Sequence, residues 1–412
     1  MSQLTDIPSI DDAEFSNKRV LLRVDINSPI DRESGKIVND NRIVKSIPTI
    51  RDLLDKGARL TIIAHQGDTT DYASLISLSQ HAKRLSDLLG RPLQFIEDIA
   101  GPAAIEKIEQ LQAGEVLLLD NIRYLTEEAS TFEDTVKQSP SEMAACYMIR
   151  RLSPLFDCYV NDAFAAAHRN SPSMVGFQEV MPSYAGRLLI DELTALQTIT
   201  DKPATPCIYM LGGARAGDAF GMIEQVLKDG SADHLLLSGL VGQIFMLADD
   251  INIGKSSTGF ISHKGFEQYI PAAKAFLNDY RSKVSYASDV AVLSNGVRKN
   301  INPDQVSDEQ DISDIGEQTI GRYKSIIAEA KTIFVNGPCG IYENPLFEHG
   351  TRSLWNAVAD AQGFTVIGGG DSVTSFKQYT DIDKLNYVST AGGALIRYLS
   401  GIELPLLKSF EK

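Results

Sequence analysis

The sequence predicts an α/β fold of two similar-sized lobes, each a parallel sheet flanked by helices, with a hinge and a connecting helix joining them. Three observations predict it. The chain has 412 residues, more than one hydrophobic core ordinarily serves, so two domains are the default. Short β-like runs alternate with amphipathic stretches along the whole chain, the pattern of parallel strands covered by helices on both faces. The residues that close those runs also change character midway, from basic and amide side chains to glycines.

In the first half the β-like runs are 19–27, 59–65, 115–120 and 155–161. Between the first two, Ile43, Ile47, Ile50 and Leu54 recur at three- and four-residue intervals and so share one helical face. Residues 184–200, YAGRLLIDELTALQTIT, have helical periodicity between the two halves and are read as the connecting helix. In the second half the runs are 207–211, 234–238, 290–293, 332–336 and 365–367, each expected to precede a helix of a parallel unit. Residues 235–248 contain Ser238, Gly239, Gly242 and Gln243 and are too short to span a bilayer, so they read as a buried strand running into a helix.

The formal net charge of -15 argues against broad binding to nucleic acid or to an anionic membrane. An anionic substrate must then be held by a local cluster of arginines. Cys146, Cys158, Cys207 and Cys339 are scattered without CxxC or His-spaced partners, so neither a zinc site nor a disulfide framework is indicated and a reducing cytoplasm is expected. The start, MSQLTDIPSIDDAEF, lacks the basic and apolar regions of a signal peptide, so secretion is not expected.

The most informative stretch is FTVIGGGDSVTS at 364–375. Three glycines let the backbone turn sharply and approach a ligand, and the free N–H groups of the following helix's first turn attract an anion. Asp371 either supplies a carboxylate to a phosphate-bound magnesium or merely caps the helix. In parallel sheets ligands bind beyond the carboxyl ends of the strands. There the first half places Asp25, Asn27, His65, Asn121, Arg123, Asn161, Asp162, His168 and Arg169, which suit a small anion. The second half places Gly212, Gly213, Gly239, Gly337, Gly340 and 368–370, which suit a nucleotide. Gly254, Lys255 and Ser256 look like the tail of a Walker A loop, but Asp249 stands where its first glycine belongs, so they receive no phosphate role.

Nine motifs in series carry a resemblance. They are RVDINSPI (23–30), NDNRI (39–43), AHQG (64–67), LLLDNIRY (117–124), VNDAFAAAHR (160–169), LGGARAGD (211–218), VNGPCGIYE (335–343), IGGGDS (367–372) and STAGGA (389–394). In this order they resemble the phosphoglycerate kinase family over nearly the whole chain. Shortened connections and the phrase SGLVGQIF (238–245) resemble its archaeal branch.

The resemblance implies Rossmann-like lobes and reversible phosphoryl transfer between 1,3-bisphosphoglycerate and MgADP, giving 3-phosphoglycerate and MgATP by hinge closure and in-line transfer. Small molecules would be the only partners: no nucleic acid, no membrane, and a monomer. It implies a substrate domain at 1–183, the connecting helix at 184–200, a nucleotide domain at 201–388, and a tail, 389–412, returning to the first domain. By the same resemblance Arg42 is the catalytic arginine, with Arg215 and Gly370 beside the moving phosphoryl group. Asp25 holds Arg42 or the substrate hydroxyl, Asn27 meets the glycerate, and His65, Arg123 and Arg169 grip the non-reacting end. Gly212, Gly213 and Gly239 line the adenosine cleft, Asn336 meets phosphate and Glu343 the ribose. Gly369, Gly370 and Ser372 meet the phosphates, and Asp371 binds Mg2+.

Four positions depart from the family pattern. Asp68 stands where an arginine is usual and would repel a phosphate if it pointed inward. Arg215 and Ala219 replace lysines, and Ala391 replaces a glycine. They keep two further readings open: a paralogous kinase for another small phosphorylated carboxylate, and a catalytically silent nucleotide-binding scaffold.

Overall fold

The computed structural model describes residues 7–68 and 70–411. They form two compact units, one comprising the chain up to Thr194 together with the segment from Glu403, the other Ala195–Ile402. The tail expected to return from residue 389 therefore divides. Its helix Gly393–Leu399 belongs to the second unit, where it packs on the helix Ala216–Lys228, and only the segment from Glu403 belongs to the first.

The first unit is built on β1 (Arg19–Arg23), β2 (Arg59–Ile63), β3 (Gln94–Ile96), β4 (Val116–Leu119), β5 (Cys158–Asn161) and β6 (Ser183–Ala185). All pairs are parallel, in the order β3-β4-β2-β1-β5-β6. Alternation along each strand sends side chains to two separate cores. Val20, Leu22, Leu60, Ile62, Leu118 and Val160 join Ile43, Ile47, Ile50 and Leu54 of the helix Asn41–Asp55 on one face. Leu21, Ile63, Leu117, Leu119 and Tyr159 join Ile108, Ile149, Leu152 and Phe177 on the other. Both faces are dry, which is why the strands read as continuous apolar runs.

The second unit holds β7 (Cys207–Leu211), β8 (His234–Leu237), β9 (Val284–Ser285), β10 (Val290–Ser294), β11 (Val297–Ile301), β12 (Asp314–Ile315), β13 (Thr332–Asn336), β14 (Phe364–Gly368) and β15 (Tyr387–Val388). Its parallel sheet runs β15-β14-β13-β7-β8-β9. The run 290–293 was expected in that sheet and is not there: β10 is the middle strand of a separate sheet, antiparallel to both β11 and β12. The reason is local. Asn295 and Gly296 both take positive φ, +51° and +77°, the tight turn that folds a strand back on itself.

The two- and three-residue strands β3, β6, β9, β12 and β15, all at sheet edges, carry too little pattern to be read from sequence. The connecting helix begins at Arg187, after β6. In the first unit Thr49 Oγ1 accepts the Arg187 N–H at 2.9 Å, Asp162 Oδ1 accepts that of Leu189 at 3.0 Å, and Arg187 Nε reaches Asp52 at 2.9 Å.

Candidate active site

In the first unit strand order reverses about β1, whose neighbours are β2 and β5, and the chain leaves β1 through Val24 and Asp25. Asp25 is buried, and its two oxygens lie 3.2 and 3.3 Å from Arg42 Nη1, which also reaches the Asn27 carbonyl at 3.3 Å. Burial by itself would raise the Asp25 pKa, but the positive charge of Arg42, with Arg23 behind it, brings it down to about 2. Asn27 ties two strand-end loops together. Its Oδ1 accepts the Gly67 N–H at 3.0 Å, while its own N–H donates to Asp25 at 3.0 Å. Only glycine fits at position 67, where φ is +76° and a Cβ would lie 2.2 Å from the Ser74 carbonyl.

His65 follows β2, with Nδ1 2.8 Å from Arg23 Nη2. A guanidinium only donates, so Nδ1 accepts and the ring proton sits on Nε2. Burial pushes the His65 pKa well below its usual value, which keeps the ring neutral. Arg123 sits in the turn after β4, where Asn121 Oδ1 accepts the N–H groups of both Arg123 and Gln66 at 3.1 Å. Its Nη1 donates to the Gly67 carbonyl. Arg169 follows the turn Phe164–Ala166, and its Nη1 lies 3.2 Å from Glu133. His65, Arg123 and Arg169 line one pocket with Arg23, Glu128 and Glu133.

Arg23 is the member that sequence reading missed. An arginine ending the apolar run RVLLR was the available signal, because a charge buried at a strand's carboxyl end needs a purpose. Its Nε donates to Ser173 Oγ at 3.2 Å, and that hydroxyl donates to buried Glu128 at 2.8 Å. Asp68 turns inward, 3.3 Å from Arg123 and 3.9 Å from Arg169. Burial opposes its ionisation, but a hydrogen bond from Ser130, the Thr70 N–H and then both arginines hold its pKa at about 2. Asn161 and Asp162 lie elsewhere: Asn161 caps the Ala163 N–H at 2.9 Å, and Asp162 anchors the connecting helix.

In the second unit the reversal falls between β7 and β13. A cavity of about 400 Å³ there is lined by Gly213, Gly239, Pro338, Glu343 and Asp371, among others. The glycines meet backbone to backbone. At Gly337, φ +92°, a Cβ would lie 2.2 Å from the Gly212 carbonyl, and at Gly239 it would lie 2.7 Å from Gly213 N. The Gly213 and Gly239 N–H groups are already bonded to Pro338 and Cys339 carbonyls, at 2.8 and 3.0 Å, so these glycines act by close approach.

The helix Gly370–Tyr379 opens directly after β14 from Gly369, φ +88°, with no side-chain cap over its first N–H groups. Asp371 is exposed and makes no side-chain hydrogen bond or ion pair among the described residues. Ser372 is buried, and its Oγ accepts the Gly337 N–H at 2.7 Å, so its hydroxyl braces the loop. Asn336 donates to the Gly368 carbonyl at 3.2 Å. Arg215 is exposed at the start of the helix Ala216–Lys228, outside the cavity lining, and Ala219 lies on the buried face of that helix. Another wall was not foreseen. Val290 and Ile312–Ile315, from the antiparallel sheet and the segment entering it, face the cavity with Met246 and Phe260.

The family model described as phosphoglycerate kinase matches residues 10–402. The curated phosphoglycerate kinase of Methanothermobacter thermautotrophicus is 41% identical over 406 residues, covering 98% of this chain and 96% of that protein. That of Sulfurisphaera tokodaii is 40% identical over 411 residues, covering 98% and 95%. Among solved structures, phosphoglycerate kinase from Pyrococcus horikoshii OT3 matches with a TM-score of 0.88 at 36% identity over 98% of each chain. The Coxiella burnetii phosphoglycerate kinase matches with 0.83 at 30% identity, over 98% of this chain and 99% of that one. With motif order, paired α/β units and relatives agreeing over nearly its full length, the chain belongs to the phosphoglycerate kinase family.

Proposed function

We propose that the family's reaction runs here between the acyl phosphate of 1,3-bisphosphoglycerate and MgADP, giving 3-phosphoglycerate and MgATP, with the residues in the following roles. The observation that carries the reading is the convergence of Arg23, His65, Arg123 and Arg169 on one pocket. Arg123 and Arg169 grip the distal phosphate with planar forks, and neutral His65 offers an Nε2–H. Asn27 meets the glycerate. Asp25 aims Arg42 at the phosphorus.

A β-phosphate oxygen of ADP attacks that phosphorus in line, and the carboxylate leaves with the bonding pair. Charge spreads over the equatorial oxygens, where Arg42 stabilises it, and no covalent protein intermediate is needed. On the nucleotide side Gly212, Gly213 and Gly239 admit the adenosine, Glu343 accepts from the ribose diol, and Asn336 meets phosphate. The helix start at Gly369, Gly370 and Ser372 holds phosphates through backbone N–H groups, and Arg215 follows the moving group. The substrates start on different units, so closure brings them together and excludes water from the acyl phosphate.

Magnesium fits Asp371. Its carboxylate lines the cavity without an internal partner, and no group of three or more His, Cys, Asp or Glu among the described residues forms a protein cage. One carboxylate, with phosphates and water completing the shell, is how this ion is usually held, and when bound it offsets phosphate charge. No helix among the described residues is long and apolar enough to cross a membrane. A cytoplasmic monomer acting on small molecules, with no nucleic-acid partner, completes the proposal. The test is a coupled assay with 3-phosphoglycerate and MgATP. Turnover saturable in both is expected; none, with turnover of another phosphorylated carboxylate, would overturn the substrate assignment.

A further inference from the structure

Asp68 offers its carboxylate to both arginines of the anion pocket, with Oδ2 3.3 Å from Arg123 Nη1 and 3.9 Å from Arg169 Nη2. Ser130 Oγ donates to Oδ1 at 2.7 Å and tethers it there. Glu133 takes the other arm of Arg169 at 3.2 Å. The two guanidinium groups are thus neutralised by the protein's own acids. That pairing stabilises the empty pocket, because Arg123 is only 8% exposed and a buried cation without a partner is strongly destabilising. It also conflicts with binding: an incoming anion needs the same N–H groups, and two anions side by side repel.

We infer that Asp68 is an internal competitor for the distal anion of the substrate, seated on Arg123 and Arg169 in the empty pocket and displaced when substrate enters. The inference rests on the reading of those arginines as the clamp for the distal phosphate. Displacement has a route, since the Asp68 side chain is 35% exposed and can turn into water. Its effect follows from populations. When only a fraction of molecules has the arginines free, the apparent affinity of every anion falls by that fraction. A small inorganic anion, which has only these contacts, is thereby kept out at concentrations where a substrate also held through Asn27 and Arg42 still binds.

Asp68→Asn tests this, because it keeps the shape and an acceptor for Ser130 while removing the charge. Calorimetry with sulfate at constant ionic strength should give binding about tenfold tighter than in the unmodified protein, equivalent to about 1.4 kcal/mol. The KM for 3-phosphoglycerate should fall in the same direction. Ser130→Ala, which loosens the tether and leaves every charge in place, should give a smaller decrease in both and guards against a folding defect in the first variant. Unchanged or weaker sulfate binding in folded Asp68→Asn would overturn the inference and leave Asp68 as a loop anchor. If the unmodified protein failed to turn over 3-phosphoglycerate, the substrate reading would fall, while the sulfate measurement would still decide the role of Asp68.

Discussion

Arg42 opens the helix Asn41–Asp55 and Arg123 follows β4, and their surroundings assign them different work. Arg42 is partly open and aimed by a buried carboxylate, whereas Arg123 is enclosed and bonded to the loop that carries Asp68. If Arg42 acts mainly on charge that develops in the transition state, Arg42→Ala should lower kcat on the order of 10³-fold, about 4 kcal/mol, far more than it raises KM. Arg123→Ala should raise the KM for 3-phosphoglycerate instead. Steady-state kinetics on both, with circular dichroism to confirm folding, separates catalyst from clamp. Removing Arg42 also strands Asp25, whose depressed pKa contributes stability present above about pH 4 and lost as pH falls toward 2. The variant should therefore lose stability at neutral pH and little near pH 2. A second residue-scale prediction concerns Asp371→Asn: the fold should persist while the magnesium concentration for half-maximal rate rises on the order of tenfold or more. An unchanged magnesium titration would remove Asp371 from the metal site. These assignments came from motif letters. The sequence held no sign of which acid each arginine meets, because Arg169 pairs with Glu133 across 36 positions and Arg23 bonds Ser173 across 150.

At the scale of elements, the start of the connecting helix is a charged junction, where Arg187 meets Asp11 and Asp52. Asp162 lies buried beneath it, and a Cβ on Gly186 would fall 2.3 Å from its Oδ1. Burial pushes the Asp162 pKa up to about 7, with hydrogen bonds from Thr49 and the helix N–H groups only partly offsetting it. The sign follows directly. From about pH 4 to 7 the folded protein keeps a proton that the unfolded chain has released, so this group's contribution to stability is greatest at low pH and is lost as pH rises through that window. Asp162→Asn should flatten the slope and stabilise the protein at pH 8 by as much as about 4 kcal/mol. Denaturant midpoints at several pH values check it, and an Asn variant weaker at every pH would contradict it. The helical face of Ile43, Ile47, Ile50 and Leu54 was legible from its period and lies in the helix Asn41–Asp55, whereas the antiparallel hairpin turning at Asn295 and Gly296 was not.

At the scale of the whole molecule, each unit buries its own hydrophobic residues, and the chain crosses between them twice, once through the connecting helix and once at Glu403. The last helix, Pro405–Phe410, therefore stabilises the unit most distant from it in sequence. Leu404, Leu406 and Leu407 are buried there, and the Leu406 N–H donates to the Ala167 carbonyl at 3.2 Å, two residues before Arg169. Deleting 403–412 should cost roughly 4 kcal/mol or more of first-unit stability, since burying one leucine is worth about 1.5–3 kcal/mol. The KM for 3-phosphoglycerate should rise as the Arg169 loop loosens, with nucleotide binding retained. Calorimetry should show one early transition and one unmoved, and a uniform downward shift of both would argue against independent cores.

By itself the sequence determined the α/β class, the basic strand ends of the first half, the glycine strand ends of the second, and the family. Each of these is written within a few consecutive residues, as an apolar run, a helical period or a glycine cluster. Tertiary structure decided what those residues face. Asp68 turns onto Arg123 and Arg169, Ser372 turns away from the cavity to brace Gly337, and β10 leaves the parallel sheet to wall the cavity. Local patterns follow from burial and backbone preference, which act between near neighbours. Partnerships are settled only when strands from distant parts of the chain lie side by side and each buried charge or hydroxyl must find its counterpart.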